Sequence, residues 1–386
     1  MSFGDLLLGR SQAFCANHHT ILMEKESESI VRRITGFVWV ALFGSMIAAS
    51  FLGESVVVAA ARVTVPRAHM IAGVPWHEQL NGLSCGAASL EIVFDYWGPD
   101  IDQKEIMNVA RTSSMGTWTP DIVRAGHLSY LSDAQGNFFP AVGPWGGYEE
   151  RQLGYAAFSY TSSEFWLDEL KALVANDIPV IVLMKYYPWG GGGHYRVVIG
   201  YDDDRQLIYF SDPWGRDLNH LTDWTGVISW SYSDFQIGWN YTEYGVAEPY
   251  FGAVAVPWSI EVSVNGEATI GSVIDVSVSV EYPCPEPFDE TLYPAQNTAV
   301  QIAVPEGVTL LRGSSTVSIG ALSPAGTARI TWKLLCNEDA TGREINISAS
   351  GIISGWVPDA HWNGQTVYYP AYSYVDAIGT EITVTL

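Results

Sequence analysis

The chain has 386 residues, of which 48% are hydrophobic and 16% charged, and a formal net charge of −23. This composition belongs to a globular protein with a sizeable core and excludes a disordered one. The acidic balance offers no basic surface for phosphates, which excludes nucleic acid as a partner, and the length accommodates two domains plus a leader at about 150 residues per domain.

Residues 1–61 read as an export signal. Arg32 and Arg33 precede an uncharged apolar run from Ile34 to Leu52, and Val58-Ala59-Ala60-Ala61 offers small residues for cleavage, so the mature chain is expected to begin near Arg62. The run is close to the roughly 20 residues that span a bilayer, and retention as a membrane anchor is the alternative. Either outcome predicts a secreted or cell-surface protein.

The next stretch, Val74 to Gly98, carries the candidate nucleophile. Ala88, Ile92, Val93, Tyr96 and Trp97 recur at helical spacing behind Ser84-Cys85-Gly86, and Gly98-Pro99 stops the pattern. Cys85 is thereby placed in the first turn of a buried helix, where unpaired N–H groups and the helix dipole favour thiolate. Asp102 with Glu105 predicts a second helix through Val109, and Thr119-Pro120 predicts a third ending near Leu131, with Thr119 as its cap. Ser132 to Tyr160, rich in glycine and aromatics, reads as an irregular loop with one strand, and Ser163 to Ala175 as a helix.

Three strands follow in quick succession. Ile178 to Met184 is a continuous apolar run; Gly190 to Gly193 reads as a glycine loop leading into His194-Tyr195-Arg196-Val197-Val198-Ile199-Gly200-Tyr201; and Leu207 to Asp212 stops at Pro213. Strands at Gly226 to Trp230 and Tyr250 to Val256 complete an α+β domain over 62–256. From Trp258 to Leu386 the text alternates with period two, as in Ile274-Asp275-Val276-Ser277-Val278, which predicts an all-β immunoglobulin-like sandwich over 257–386. Within it Cys284 and Cys336 are expected to pair, leaving Cys85 the odd thiol, since Cys15 lies before the apolar run.

A thiol nucleophile needs a base, a group to orient the base, and donors for the oxyanion. His194 at a strand start, Asp212 at the end of the neighbouring strand, and the side-chain amide of Gln79 supply one candidate each. The dull readings are a backbone-satisfied histidine, an Asp-Pro turn former and a loop glutamine. No cofactor or metal is expected. His77-Glu78 lacks a second histidine at zinc spacing, and Asp202-Asp203-Asp204 lacks the alternating ligands of a calcium loop.

Gln79, Cys85-Gly86, the Gly-His194 strand start and Asp212-Pro213, in that order, resemble the motif set of the papain-like cysteine peptidases of the bacteriocin-processing, double-glycine-leader type, in their stand-alone peptidase-like branch. The resemblance covers about Val74 to Val256. It implies a papain-like fold, a peptide or protein substrate, Cys85 as nucleophile, His194 as general base, Asp212 as orienting residue and Gln79 as oxyanion donor. Ser84 departs from the acidic residue common before the cysteine, and no nucleotide-binding glycine loop accompanies the motifs. The same constellation serves amidases and transpeptidases, and the rival class is a catalytically silent binding or adhesion module.

Overall fold

The computed structural model describes residues 65–98, 100–127, 155–215, 226–242, 249–289, 291–358, 360–362, 366–369 and 371–386. The expected export signal, Cys15, the far end of the third helix and most of the 132–160 loop lie outside them. Among the described residues no helix is long and apolar enough to cross a membrane.

In chain order the elements are β1 (Ala68–Met70), α1 (Cys85–Trp97), α2 (Gln103–Val109), α3 (Thr119–Gly126), β2 (Tyr155–Tyr160), α4 (Leu167–Ala175), β3 (Val180–Tyr187), β4 (Gly190–Asp202), β5 (Leu207–Ser211), β6 (Val227–Ser231), α5 (Tyr232–Trp239) and β7 (Gly252–Pro257). There follow β8 (Ser259–Asn265), β9 (Val273–Glu281), β10 (Ala295–Ala303), β11 (Val308–Arg312), β12 (Thr316–Leu322), β13 (Thr327–Cys336), β14 (Glu344–Val357), β15 (Ala360–Trp362), β16 (Thr366–Tyr369) and β17 (Tyr372–Thr385).

Helix α1 starts at Cys85, as its apolar spacing requires. All of Cys85 through Phe94 is buried, so this is a helix with no solvent face until its last turn. It ends at Gly98, whose N–H reaches the carbonyls of Phe94 and Asp95 at 3.0 and 3.2 Å. One face meets α2 and α3; the other packs on Tyr195, Val197 and Ile199 of β4. Ile92, fully buried, carries roughly 2–5 kcal/mol against truncation to alanine. Asp102 caps α2, accepting from the Lys104 N–H at 2.7 Å. Helix α3 corrects the expected cap: Thr119 is its first residue, and Trp118 precedes it without a side-chain cap bond. Pro120 sits in the first turn, where its missing donor costs nothing.

The central sheet runs β2-β7-β3-β4-β5-β6, with β1 added along β4, and every pairing is antiparallel. The glycine run is strand rather than loop. Gly190 and Gly193 pair with Tyr187 and Lys185, with a register break between, so the hairpin turns at Pro188-Trp189. Gly191 takes φ +95° at that break, which is why glycine stands there.

Beyond β7, two four-stranded antiparallel sheets, β12-β10-β14-β17 and β11-β13-β9-β8, carry alternating buried and exposed side chains. No disulfide joins Cys284 to Cys336, which overturns their expected pairing. In the β9–β13 ladder Glu281 faces Thr327 and Val273 faces Leu335. Cys284 therefore lies past one end of the pair and Cys336 at the other, about eight residues or some 27 Å apart, far beyond the 7 Å a disulfide can bridge.

Val63–Leu386 form one compact unit. Phe158 of β2 sets its ring against Tyr282 and Phe288, each at 6.2 Å, and Arg124 of α3 reaches Asp376 of β17 at 3.4 Å in a buried ion pair. The buried core accordingly runs from β2 through Trp258 into the two outer sheets.

Candidate active site

The β4–β5 register sets Val197 opposite Ser211. One step further along the two strands brings Arg196 level with Asp212, and His194 lies two residues on, on the same strand face as Arg196. All three are buried, with Asp212 1% and His194 4% exposed. His194 Nε2 donates to Asp212 Oδ1 at 2.8 Å, which leaves Nδ1 as the ring nitrogen available to the Cys85 thiol, its other hydrogen-bonding partner. Three residues spanning 127 positions of sequence, Cys85, His194 and Asp212, thus stand in one row, on the N-terminus of α1, within β4 and just after β5.

The electrostatics follow from this contact row. Burial pushes the Cys85 thiol up, but the hydrogen bond and charge of His194 outweigh it and hold the thiol below its ordinary value. Burial pushes the imidazole down, yet the Asp212 charge, opposed in part by Arg196, and the bonds to Asp212 and Cys85 hold it above its usual value. Burial likewise raises the Asp212 carboxyl, and the charges of Arg196 and His194 reverse this, holding it well below the usual carboxylate range. A thiol displaced downward beside an imidazole displaced upward favours the thiolate–imidazolium pair, the reactive form of a cysteine nucleophile.

Gln79 stands against the same corner. Its backbone N–H donates to the carbonyl of Pro213 at 3.0 Å, and Trp76 Nε1 donates to the carbonyl of Asp212 at 2.7 Å, so the segment before α1 is stapled to the segment after β5. The Gln79 side chain is 6% exposed; its Nε2 donates to the Asn81 carbonyl at 2.6 Å, while Oε1 is buried without a partner.

Asn81 went unread in the sequence and organises this loop. Its N–H donates to Ser84 Oγ at 3.1 Å and its Oδ1 accepts from the Leu83 N–H at 2.9 Å. Ser84, engaged there, makes no cap bond to α1. The first-turn N–H groups of a helix have no intrahelical partners, and Ser84 does not cover those of α1. An Asn four residues before the cysteine, in a glycine-bearing turn, was the signal available.

Arg196, also missed, donates from Nε to Asp212 Oδ2 at 2.7 Å. Its signal was the His-x-Arg alternation, which puts both side chains on the face that meets Asp212. As to metals, His77, Glu91 and Asp100 bring potential ligand atoms within 4.8 Å of one another. Two of these residues are already engaged: His77 Nε2 meets Asp95 Oδ2 at 2.8 Å, and Glu91 Oε2 accepts from Gln103 Nε2 at 2.6 Å.

Residues 71–246 match the family model described as the Peptidase_C39 like family. No curated protein sequence matches the chain. Among solved structures, xylellain, a cysteine protease from Xylella fastidiosa, aligns at 16% identity over 55% of this chain and 94% of its own, with a TM-score of 0.35. The peptidase domain of Streptococcus ComA, a bi-functional ABC transporter involved in quorum sensing, aligns at 18% identity over 48% of this chain and 98% of its own, with a TM-score of 0.31. A double glycine motif protease from an AMS/PCAT transporter, in complex with the leader peptide, aligns at 16% identity over 49% and 94%, also with a TM-score of 0.31. The segment 71–246, which holds the whole contact row from Gln79 to Asp212, is that of a Peptidase_C39 like cysteine peptidase domain.

Proposed function

We propose that the chain hydrolyses peptide bonds through a Cys85–His194–Asp212 triad with Gln79 as oxyanion donor. The observation that carries this reading is the buried row in which Asp212 fixes His194 by Nε2 and His194 in turn holds the Cys85 thiol. The Cys85 Sγ attacks the carbonyl carbon of the scissile amide. Negative charge gathers on its oxygen, facing the Cys85 backbone N–H and the second Nε2 hydrogen of Gln79. His194 gives its Nδ1 proton to the leaving amine as the C–N bond breaks. A water then loses a proton to His194 and adds to the thioester, the C–S bond breaks, and the carboxylic product leaves with the thiolate restored.

The reading extends to organisation. Residues 1–61 serve as an export signal or anchor, 62–256 as the peptidase domain and 257–386 as an immunoglobulin-like accessory module, so that the enzyme works secreted or at the cell surface on peptide or protein substrates. Fractionation of a C-terminally tagged chain reads the location. A peptide-library cleavage assay reads the activity: cleavage by the wild-type chain, abolished in Cys85→Ala, is the expected result, and cleavage that persists in Cys85→Ala contradicts the triad.

A further inference from the structure

Arg196 is 1% exposed, and each of its three guanidinium nitrogens donates a hydrogen bond. Nε donates to Asp212 Oδ2 at 2.7 Å, Nη1 to the Lys185 carbonyl at 3.2 Å and Nη2 to the Tyr186 carbonyl at 3.0 Å. Its plane lies over the Trp230 ring with the central carbon 4.7 Å from the centroid. The two carbonyls belong to β3 at the point where its register with the glycine run shifts, between Lys185 and Tyr187. Asp212 Oδ1 meanwhile takes both His194 Nε2 and the Trp214 N–H, each at 2.8 Å. The carboxylate is thus held at both oxygens, and the Tyr186 ring, on the same clamped turn of chain, meets the His194 ring edge-on at 5.3 Å.

We propose that Arg196 is a positioning residue for the peptidase reaction: wedged between the β3 bulge and Asp212, it locks the carboxylate so that Oδ1 holds the imidazole in line with Cys85. The proposal rests on the triad reading above. Arg196 touches neither the thiol nor a substrate, and acts through Asp212. It also places a second buried positive charge beside the imidazolium, which opposes protonation of His194 where Asp212 promotes it. Among the described residues the other titratable groups against His194 are Cys85 on α1, Asp212 after β5 and Tyr186 on β3, while Lys185 of β3 sends its Nζ to the Ile237 carbonyl. A staple that only joined β4 to β5 would leave kcat unchanged in a variant that folds with its His194 midpoint intact, such as Arg196→Lys.

The test measures the His194 titration midpoint by imidazole NMR, and kcat and KM on a peptide selected from a library with the wild-type chain. Arg196→Gln is expected to raise the midpoint by roughly one pH unit, because a like charge is removed. Arg196→Lys keeps the charge and the midpoint but loses the planar fork. In both variants kcat falls on the order of 100-fold with KM within about twofold, as a misaligned but intact site requires. A folded Arg196→Gln with the wild-type midpoint, or Arg196→Lys with wild-type kcat, overturns the proposal. If Arg196→Gln does not fold, Arg196→Lys decides alone, a lost kcat at an unmoved midpoint supporting it. Cys85→Ala separates the two readings: activity retained there, or an unchanged His194 midpoint, overturns the triad as well, whereas a coupled wild-type site with indifferent Arg196 variants overturns only the clamp.

Discussion

Replacing Asp212 by asparagine tests the energetics of the row without changing its shape. Asp212 is 1% exposed and accepts from three donors, His194 Nε2, the Trp214 N–H and Arg196 Nε. An asparagine amide, whichever way it turns, presents its own N–H₂ to at least one of these donors, and Arg196 is left as a buried cation without a counterion. Breaking a buried pair in this way costs roughly 3–5 kcal/mol, whereas removing both charges is close to neutral. Asp212→Asn is therefore expected to lose about that much stability at pH 7, and the double variant Arg196→Met/Asp212→Asn much less than the sum of the two singles. The folded carboxyl lies below its unfolded value of about 3.9, so its contribution is present above that pH and fades as the pH falls through the folded value. The gap between wild type and Asp212→Asn should accordingly narrow under acid. Urea denaturation of the four proteins at pH 7 and pH 3.5 reads all of this. A single variant within about 1 kcal/mol of wild type, or strictly additive losses, would refute the buried pair.

Three further outcomes follow from other parts of the fold. His127 is fully buried, with Nδ1 against the Tyr155 carbonyl at 3.2 Å, and burial, helped by the Arg124 charge, pushes it down to about 3. A histidine depressed on folding stabilises above its unfolded value of about 6.5 and loses that contribution below it, about 2 kcal/mol by pH 5. Melting curves at pH 7.5 and 5 should show this loss in wild type and its absence in His127→Gln; an equal loss in both would count against it. Gly86→Ala would set a methyl 2.8 Å from Thr117 Cβ and 3.0 Å from Ile122 Cδ1, costing about 1–3 kcal/mol, and an unchanged Tm would mean the α1–α3 contact is slack. Because no disulfide joins Cys284 to Cys336, dithiothreitol should leave the unfolding midpoint unmoved; a drop worth about 2–5 kcal/mol would indicate a bridge between them.

The parts of the site legible in sequence were those signalled by local pattern. Apolar spacing and Gly98-Pro99 placed Cys85 at a helix start, and the succession of apolar runs brought His194 and Asp212 to neighbouring strands. What stayed hidden depends on pairing across distance. A charged residue inside a strand reads as solvent-facing, and it is the Asp212 carboxylate, Trp230 and the Lys185 and Tyr186 carbonyls that make a buried Arg196 tolerable. Four glycines read as loop because propensity counts against them, while the ladder with Lys185 and Tyr187 overrides it. The cysteine pairing failed because compartment arguments say nothing about which ends of a sheet two thiols occupy. Helix α5 also escaped: Ser231, donating to Asp234 Oδ2 and accepting from its N–H at 3.1 Å, begins it directly after β6 with no intervening turn.

The central claim is that His194 activates the Cys85 thiol. Iodoacetamide labelling of the folded chain at neutral pH, followed site by site by mass spectrometry, tests it most directly. Rapid alkylation of Cys85, slowed at least tenfold in His194→Ala while Cys284 is unaffected, is the expected result. Equal and slow labelling of Cys85 in both proteins would contradict the account.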